Sequence, residues 1–170
     1  MSSDLLSVTD FRNGMALLPG AVTVITTDGP EGQAGFTASA VCSVTDDPPT
    51  VLVCMNRSSF AHRFFTAHRV LCINVLGGEQ QAISALFANR DVTMPERFAR
   101  TPHQVLATGA PALDEALVNL DGEIQAIHEI GTHSLFIVAL KQIRVRPDAA
   151  SGTAGLAYFN RKYHVLQAAH

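Results

Sequence analysis

The sequence predicts a mainly β domain: an antiparallel barrel with helices at its periphery. Three observations carry that prediction. Strand-like runs gather toward the two ends of the chain, and the helical periodicities lie between them. Two long β-rich runs, LVNLDGEIQAIHEIG and HSLFIVALKQIRVR, meet at Gly131-Thr132, which reads as a hairpin. Strands and helices do not alternate regularly, which disfavours a doubly wound parallel sheet and favours a barrel. The 170 residues read as one domain, 1–170, long enough to bury a core.

In chain order, Phe11, Met15 and Leu18 recur at helical spacing until Pro19-Gly20 stops them. AVTVITT (Ala21–Thr27) is a β-branched strand closed by the turn signal DGPEG. AGFTASAVCSVT resumes as one strand, and DDPP breaks it. TVLVCMN (Thr50–Asn56) is a buried strand, after which Ser58 and Ser59 are placed to cap a helix carrying Phe60, Phe64 and Phe65. VLCINVL (Val70–Leu76) is a strand. GEQQAISALFA is a helix with Ala82, Ile83, Leu86 and Phe87 on one face. MPERFAR is a short helix with Pro95 in its first turn. GLAYFNRKYHVL forms the final strand.

Composition narrows the function classes. Hydrophobic residues make up 47% and charged residues 16%, the balance of a compact globular protein. A net charge of -3 argues against a nucleic-acid binder, and NRKYH (Asn160–His164) is the best local basic patch. No apolar run approaches the roughly 20 residues of a membrane span. The N-terminus carries an acid early and no basic n-region, so no secretory signal is expected. Cys42, Cys54 and Cys72 form no CxxC pair, which fits reduced, buried thiols in a cytoplasm.

The familiar catalytic motifs do not appear. GPEGQAG has spaced glycines, but its continuation alternates as a strand, so a hairpin turn is the better reading than a nucleotide fingerprint. Any dinucleotide would then lack a Rossmann domain. The histidines, His62, His68, His103, His128, His133, His164 and His170, make neither HExxH nor a zinc spacing. His133 follows the hairpin turn, where both an ordinary exposed histidine and a functional one are at home. There is no GxSxG elbow.

One stretch is unusual. From Thr37 to Ser43 no side chain is larger than valine, in a segment patterned as a strand. Either it packs tightly against a neighbour, or something flat lies along it and meets its backbone groups. Thr37, Ser39 and Ser43 alternate along one face. The next strand ends in NRSS (Asn56–Ser59), a polar cluster suited to phosphate at a helix start. A ring joined to a phosphate fits both features, and flavin is the natural candidate.

The chain resembles the flavin reductase family with the FMN-binding split β-barrel fold, and in particular the small reductase components of two-component flavin-dependent monooxygenases. The resemblance is carried in order by FRNGMALLPGAVTVITTDG, GFTASAVCSVTDDPPTVLVCMNRSS, LCINVL, LDGEIQAIHEIGTHSLFIVAL and GLAYFNRKYH. It implies that Thr37, Ala38, Ser39 and Ala40 contact the isoalloxazine and ribityl chain, with Val41, Cys42 and Ser43 lining the same pocket. It implies that Asn56, Ser58 and Ser59 hold the ribityl-phosphate end, and that Phe87 and Arg90 reach the phosphate or an adenine. His133, in the GTH turn, would meet nicotinamide, with Tyr158, Arg161 and Tyr163 near the same pocket. LPGAV (Leu18–Val22) departs from the LGAAV of similar proteins, and the resemblance implies that Pro19 and Gly20 sit near the flavin edge.

The implied reaction is NAD(P)H + flavin + H⁺ → NAD(P)⁺ + reduced flavin, with FAD or FMN as acceptor and NADH or NADPH as donor. The cofactors carry this chemistry, so no protein acid or nucleophile is obligatory. The implied partners are flavin, the nicotinamide dinucleotide, a separate monooxygenase component and a second copy of the chain in a homodimer. Rival readings are a non-catalytic flavin-binding or storage protein, and a pyridoxamine-phosphate-oxidase-like or haem-binding protein on a related barrel. The haem version needs an axial ligand, and no histidine falls in the bare strand.

Overall fold

The computed structural model describes residues 6–149 and 151–167. His170 and the outermost residues of the 1–170 domain lie outside them. The chain opens with helix α1 (Val8–Ala16), which starts where the Ser7 hydroxyl accepts from Asp10 N–H at 3.0 Å. Leu18 falls beyond its end. None of its residues is buried, so Phe11, Met15 and Leu18 form an apolar face turned to solvent in the single chain.

The strands follow: β1 (Gly20–Ala21), β2 (Thr23–Thr27), β3 (Ala34–Ala38), β4 (Val41–Asp46) and β5 (Pro49–Asn56). Helix α2 (His62–His68) leads to β6 (Val70–Val75), and α3 (Gln81–Ala88) and α4 (Met94–Ala99) come next. Then come β7 (His103–Val105), β8 (Pro111–Leu113), β9 (Val118–Ile130), β10 (His133–Val145), β11 (Gly155–Phe159) and β12 (Lys162–Leu166). The expected β9–β10 hairpin closes at Gly131-Thr132, with Gly131 at φ +55°.

Seven strands form one antiparallel sheet in the order β3-β2-β6-β9-β10-β5-β4. Its two edge strands, β3 and β4, are consecutive in the chain. Only Ser39 and Ala40 join them. Three Cα steps span at most about 11 Å, whereas paired strands sit about 4.8 Å apart. The sheet must therefore curl until its edges nearly meet, which makes a barrel split along one seam. AGFTASAVCSVT is thus two strands and not one, because the chain leaves one edge at Ala38 and joins the other at Val41. Cys54 N–H on β5 holds the crossing by donating to Ala40 O at 3.0 Å.

The barrel interior is filled by Ile25, Val53, Met55, Leu71, Ile73, Phe136 and Val138, with Phe64 and Phe65 of α2 packed into it. Phe65 stacks on Phe136 at 6.3 Å and meets Phe36 edge-on at 5.3 Å. A second cluster, with Val22, Val24, Leu76, Phe87, Phe98 and Leu156, packs α3 and α4 against the outside. On α3 the buried positions are Ser84 and Phe87, while Ala82 is exposed. A Cβ on Gly35 would lie 2.8 Å from the Phe87 ring, so only glycine lets α3 seat this closely on β3. Polar ties hold the sheet as well: Asn74 donates to Val24 O and accepts from Asn119 Nδ2 and Leu113 N–H, all within 2.9 Å.

Two further expectations change. The run GLAYFNRKYHVL is a hairpin, β11–β12, turning at Asn160 and Arg161 with φ 47° and 61°. Two consecutive left-handed residues make the tight turn that matches strand twist. With β1 the hairpin forms a separate three-stranded sheet, in which Gly20 lies opposite Tyr158. The segment at His103–Leu113, unassigned from sequence, supplies the short β7–β8 pair.

Candidate functional site

The seam opens into a groove of about 1000 Å³. One wall is β3 and its exit, Gly35 to Ala40. Cys54 to Asn56 and Ser58 to Ala61 line it from the β5 side, and Phe87, Arg90 and the 92–97 segment complete it. Among the described residues no strand pairs with the outer edge of β3, so its backbone N–H and C=O groups on that side have no ladder partner. The wall ends in side chains no larger than threonine, so a flat ligand can approach that backbone closely. The volume sits at the upper end of ordinary ligand sites, about 300–1,000 Å³. These features fit a flavin nucleotide.

The structure brings Thr37, Ala38, Ser39, Ala40, Asn56, Ser58, Ser59, Phe87 and Arg90 to this one groove. Their roles within it differ. The Thr37 hydroxyl donates to Ser84 O at 2.6 Å, so it ties β3 to α3 instead of facing a ligand freely. Ser58 and Ser59 do not cap α2, whose N-cap is Ala61 without a side-chain bond. Instead, Asn56 Oδ1 accepts from Ser58 N–H at 2.9 Å and from the Ser58 hydroxyl at 2.8 Å. Asparagine competes well for backbone groups two residues on, and the polar cluster is a turn ahead of the helix. Phe87 is buried under the wall, while Arg90 is exposed at the rim.

Val41, Cys42 and Ser43 do not line the groove. Val41 packs against the barrel core, and Cys42 and Ser43 stand exposed on β4. The crossing at Ser39-Ala40 also removes the expected shared face of Thr37, Ser39 and Ser43. His133 lies outside the lining as well. It is exposed at the β9–β10 tip, and its cross-strand partner is Asn56, which places it beside one end of the groove. Arg57 N–H donates to Thr132 O at 2.9 Å and fixes that tip against the Asn56 turn.

Tyr158, Arg161 and Tyr163 surround a neighbouring cavity of about 340 Å³. It shares Thr37, Ala38, Ser39 and Ala88 with the groove. Tyr163 and Ser84 hydroxyls lie 2.8 Å apart, Tyr158 and Tyr163 meet edge-on at 5.4 Å, and Arg161 donates to Asn13 Oδ1 at 2.8 Å. These three residues and His133 therefore approach the β3 exit and Asn56, respectively, and do not share one pocket.

Among the groove residues that sequence reasoning passed over are Phe60 and Arg97. Phe60 is 64% exposed at the rim, with the Arg63 guanidinium 4.9 Å from its ring centroid. Arg97 is 6% exposed, a charged residue inside the groove wall. Its signal was available: Met94, Arg97 and Phe98 share the i, i+3, i+4 face of a short helix, which places the charge among apolar neighbours. Cys54, at the groove, has its thiol pKa pushed up by burial and then by nearby Cys42. That favours the inert thiol.

A barrel split along one seam, with a side-chain-poor edge facing a groove of this size, defines a protein that binds a flat cofactor. The chain belongs to the flavin reductase like domain family, whose pattern matches residues 15–167. It is 47% identical to the FMN reductase (NADH) RutF of Pantoea ananatis over 157 residues, 92% of this chain and 80% of that one. The same-named protein of Serratia proteamaculans is 45% identical over 98% of this chain and 92% of its own. The crystal structure of YcdH from Haemophilus somnus superposes with a TM-score of 0.89 at 43% identity, covering 95% of this chain and 100% of that one. The flavin reductase component BorF of a bacterial two-component tryptophan halogenase gives 0.86 at 26% identity, over 96% and 100% of the chains. The NADH:FAD oxidoreductase SgcE6 of Streptomyces globisporus, in complex with NAD and FAD fragments, gives 0.83 at 25% identity, over 95% and 96%.

Proposed function

We propose that the chain catalyses NADH-dependent reduction of a flavin, with FMN as the first acceptor to test and FAD as the second, and that it passes reduced flavin to a separate monooxygenase component. The observation that carries this reading is the 47% identity, over 92% of the chain, to an FMN reductase that uses NADH. The split barrel supports it physically. A bound flavin would supply the hydride acceptor and the nicotinamide the donor, chemistry that belongs to the two cofactors.

The chain's own residues bind and orient. The free edge of β3 offers amide groups to the ring edge, where donors stabilise charge as it develops. Ser39 and Ala40 keep that edge low enough for a ring to approach. Asn56, Ser58 and Ser59 hold the ribityl-phosphate end, and Arg90 meets the anion at the rim. His133 orients the dinucleotide beside Asn56, while Tyr158, Arg161 and Tyr163 frame the adjoining cavity. Holding two rings in reactive geometry lowers a barrier by about 7–11 kcal/mol at best. An open groove also lets the product leave.

Two finer readings accompany this one. The solvent-turned apolar face of α1, with Phe11 55% and Met15 48% exposed, supports a homodimer that covers it. Sedimentation analysis tests that, and a monomer at micromolar concentration overturns it. The free thiols Cys42, Cys54 and Cys72 support a cytoplasmic location, and among the described residues no helix is long and apolar enough to cross a membrane. The activity itself is tested by steady-state oxidation of NADH and NADPH with FMN, FAD and riboflavin. Absence of turnover with every pairing overturns the reductase reading.

A further inference from the structure

Three charged side chains line the groove: Glu31, Arg90 and Arg97. Arg97 is the buried one. Its guanidinium donates to Gly35 O at 3.1 Å, Val92 O at 3.1 Å, Phe87 O at 2.9 Å and Asn89 O at 2.5 Å. Those carbonyls come from β3, from the C-terminal end of α3 and from the loop beyond it. Among the described residues no carboxylate lies within ion-pair distance of Arg97. Burying a cation without a counter-ion is costly. Carbonyl dipoles at a helix C-terminus offset part of that cost but leave net positive charge in the wall. Burial correspondingly lowers the Arg97 pKa from its usual value.

The four contacts have a geometric consequence. Arg90 sits between Asn89 and Val92, and both flanking carbonyls are held by the same guanidinium. Lysine offers one compact charge and three donors, without the rigid fork that reaches four carbonyls together. Arg97 therefore fixes the segment carrying Arg90 to β3, which forms one wall of the groove.

We propose that Arg97 is a positioning residue for the anionic end of the flavin: it sets Arg90 at the groove rim and supplies uncancelled positive charge, so that the groove prefers a phosphorylated flavin to riboflavin. This rests on the groove being the flavin site. FMN and riboflavin share the ring and ribityl chain and differ in the phosphate, so their affinity ratio isolates the charge. A purely structural Arg97 would change both affinities together and leave the ratio alone.

The test is fluorescence titration of FMN and riboflavin into wild-type protein, Arg97→Met, Arg97→Lys and Ser39→Phe. The wild type is expected to bind FMN at least tenfold more tightly than riboflavin. Arg97→Met is expected to reduce that ratio by roughly tenfold, the effect of one unit charge acting over about 10 Å at an effective dielectric of about 20. Arg97→Lys keeps the charge but loses the fork, so it should weaken both ligands and lower the ratio by less than Arg97→Met does, leaving FMN preferred. Equal loss for both ligands in Arg97→Met, an unchanged or abolished preference in Arg97→Lys, or no preference in the wild type overturns the proposal. Should circular dichroism show Arg97→Met unfolded, the wild-type ratio and Arg97→Lys decide. Unchanged FMN affinity in a folded Ser39→Phe variant would instead reject the groove as the flavin site, a failure distinct from that of Arg97.

Discussion

The barrel interior and the barrel seam use opposite side chains for opposite ends. Inside, Phe65, Phe136, Ile25, Ile73 and Met55 are each no more than 2% exposed and fill the space between the walls. At the seam, Thr37 to Ala40 offer only methyl and hydroxyl groups, with Ser39 and Ala40 exposed. The interior gains free energy from apolar burial and from close packing. The seam forgoes that gain and keeps an unpaired strand edge. Stability and binding are therefore assigned to the inner face and the open edge of one sheet, and substitutions in the two regions should have separable effects.

The comparison breaks most visibly at Phe65. It is fully buried, at 0% exposure, and contacts Phe36 and Phe136. Phe65→Ala removes that ring and leaves a cavity, at a cost of about 3–5 kcal/mol. Chemical denaturation should show the loss, while the folded fraction keeps near-normal flavin affinity. A loss under 1 kcal/mol would mean that α2 is not the plug of the core.

The converse change is Ser39→Phe. A phenyl ring at the seam occupies space assigned to the isoalloxazine, so flavin affinity should fall about 100-fold or more, a loss of about 2.7 kcal/mol. The fold should stay intact because Ser39 is exposed. If Ser39 were instead a tight packing position, overpacking would cost about 1–3 kcal/mol of stability. Circular dichroism and flavin titration on one sample separate the two outcomes. Gly20 sharpens the same point, since a Cβ there would stand 3.1 Å from Ser39 Cβ. That backbone closes on the seam at Ser39.

His133 tests a third place, the hairpin tip beside Asn56. His133→Ala should raise the KM for NADH and lower kcat/KM by up to about tenfold, the value of one positioning hydrogen bond of roughly 0.5–1.5 kcal/mol. Flavin affinity should hardly change, because His133 does not line the groove. A large kcat loss at saturating NADH, with a pH dependence that disappears in the variant, would make it a proton donor instead. Unchanged kinetics would leave it an ordinary turn histidine.

Much of the barrel was legible because its inner strands are unambiguous. Runs such as TVLVCMN and VLCINVL are β-branched and apolar, and Gly131 marks the tip of the long hairpin. The breaks were harder to read. Nothing local in AGFTASAVCSVT states that Ala38 and Val41 belong to opposite edges of a sheet, because edge membership is decided by distant partners β2 and β5. The Asn160-Arg161 turn was hidden because neither residue is the glycine that usually advertises positive φ. For the site, the small side chains at Thr37 to Ala40 do fall together along one wall of the groove. Extending that stretch to Val41, Cys42 and Ser43 failed at the same crossing. Ser58 and Ser59 were misread as helix caps because the competing acceptor, Asn56, precedes them by two and three residues. Arg97 was overlooked because its acceptors are backbone carbonyls, which composition and charge pairing do not display.

The smallest expected effect tests the junction of the two regions, where α2 begins. His62 sits there, half-buried, with Nε2 2.9 Å from the Ser134 hydroxyl and its ring stacked 5.9 Å from Phe136. Burial, and then the nearby Arg57 charge, lower its pKa below the usual value, while Glu129 opposes the shift. The unfolded chain, with an imidazole pKa near about 6.5, takes up the proton before the folded one does. Protonation therefore favours unfolding, and the stabilisation is complete above about pH 6.5 and is lost as pH falls through the folded-state pKa. Thermal melts between pH 7.5 and 5.5 should show the wild type losing a few degrees at most, in line with roughly 2–4 °C per kcal/mol for a domain of this size. His62→Gln keeps a hydrogen-bonding group near Ser134 but does not titrate, so its melting temperature should fall less over the same window. Parallel slopes for the two proteins would show that His62 protonates alike in both states, and that the α2 junction carries no pH-dependent strain on the barrel.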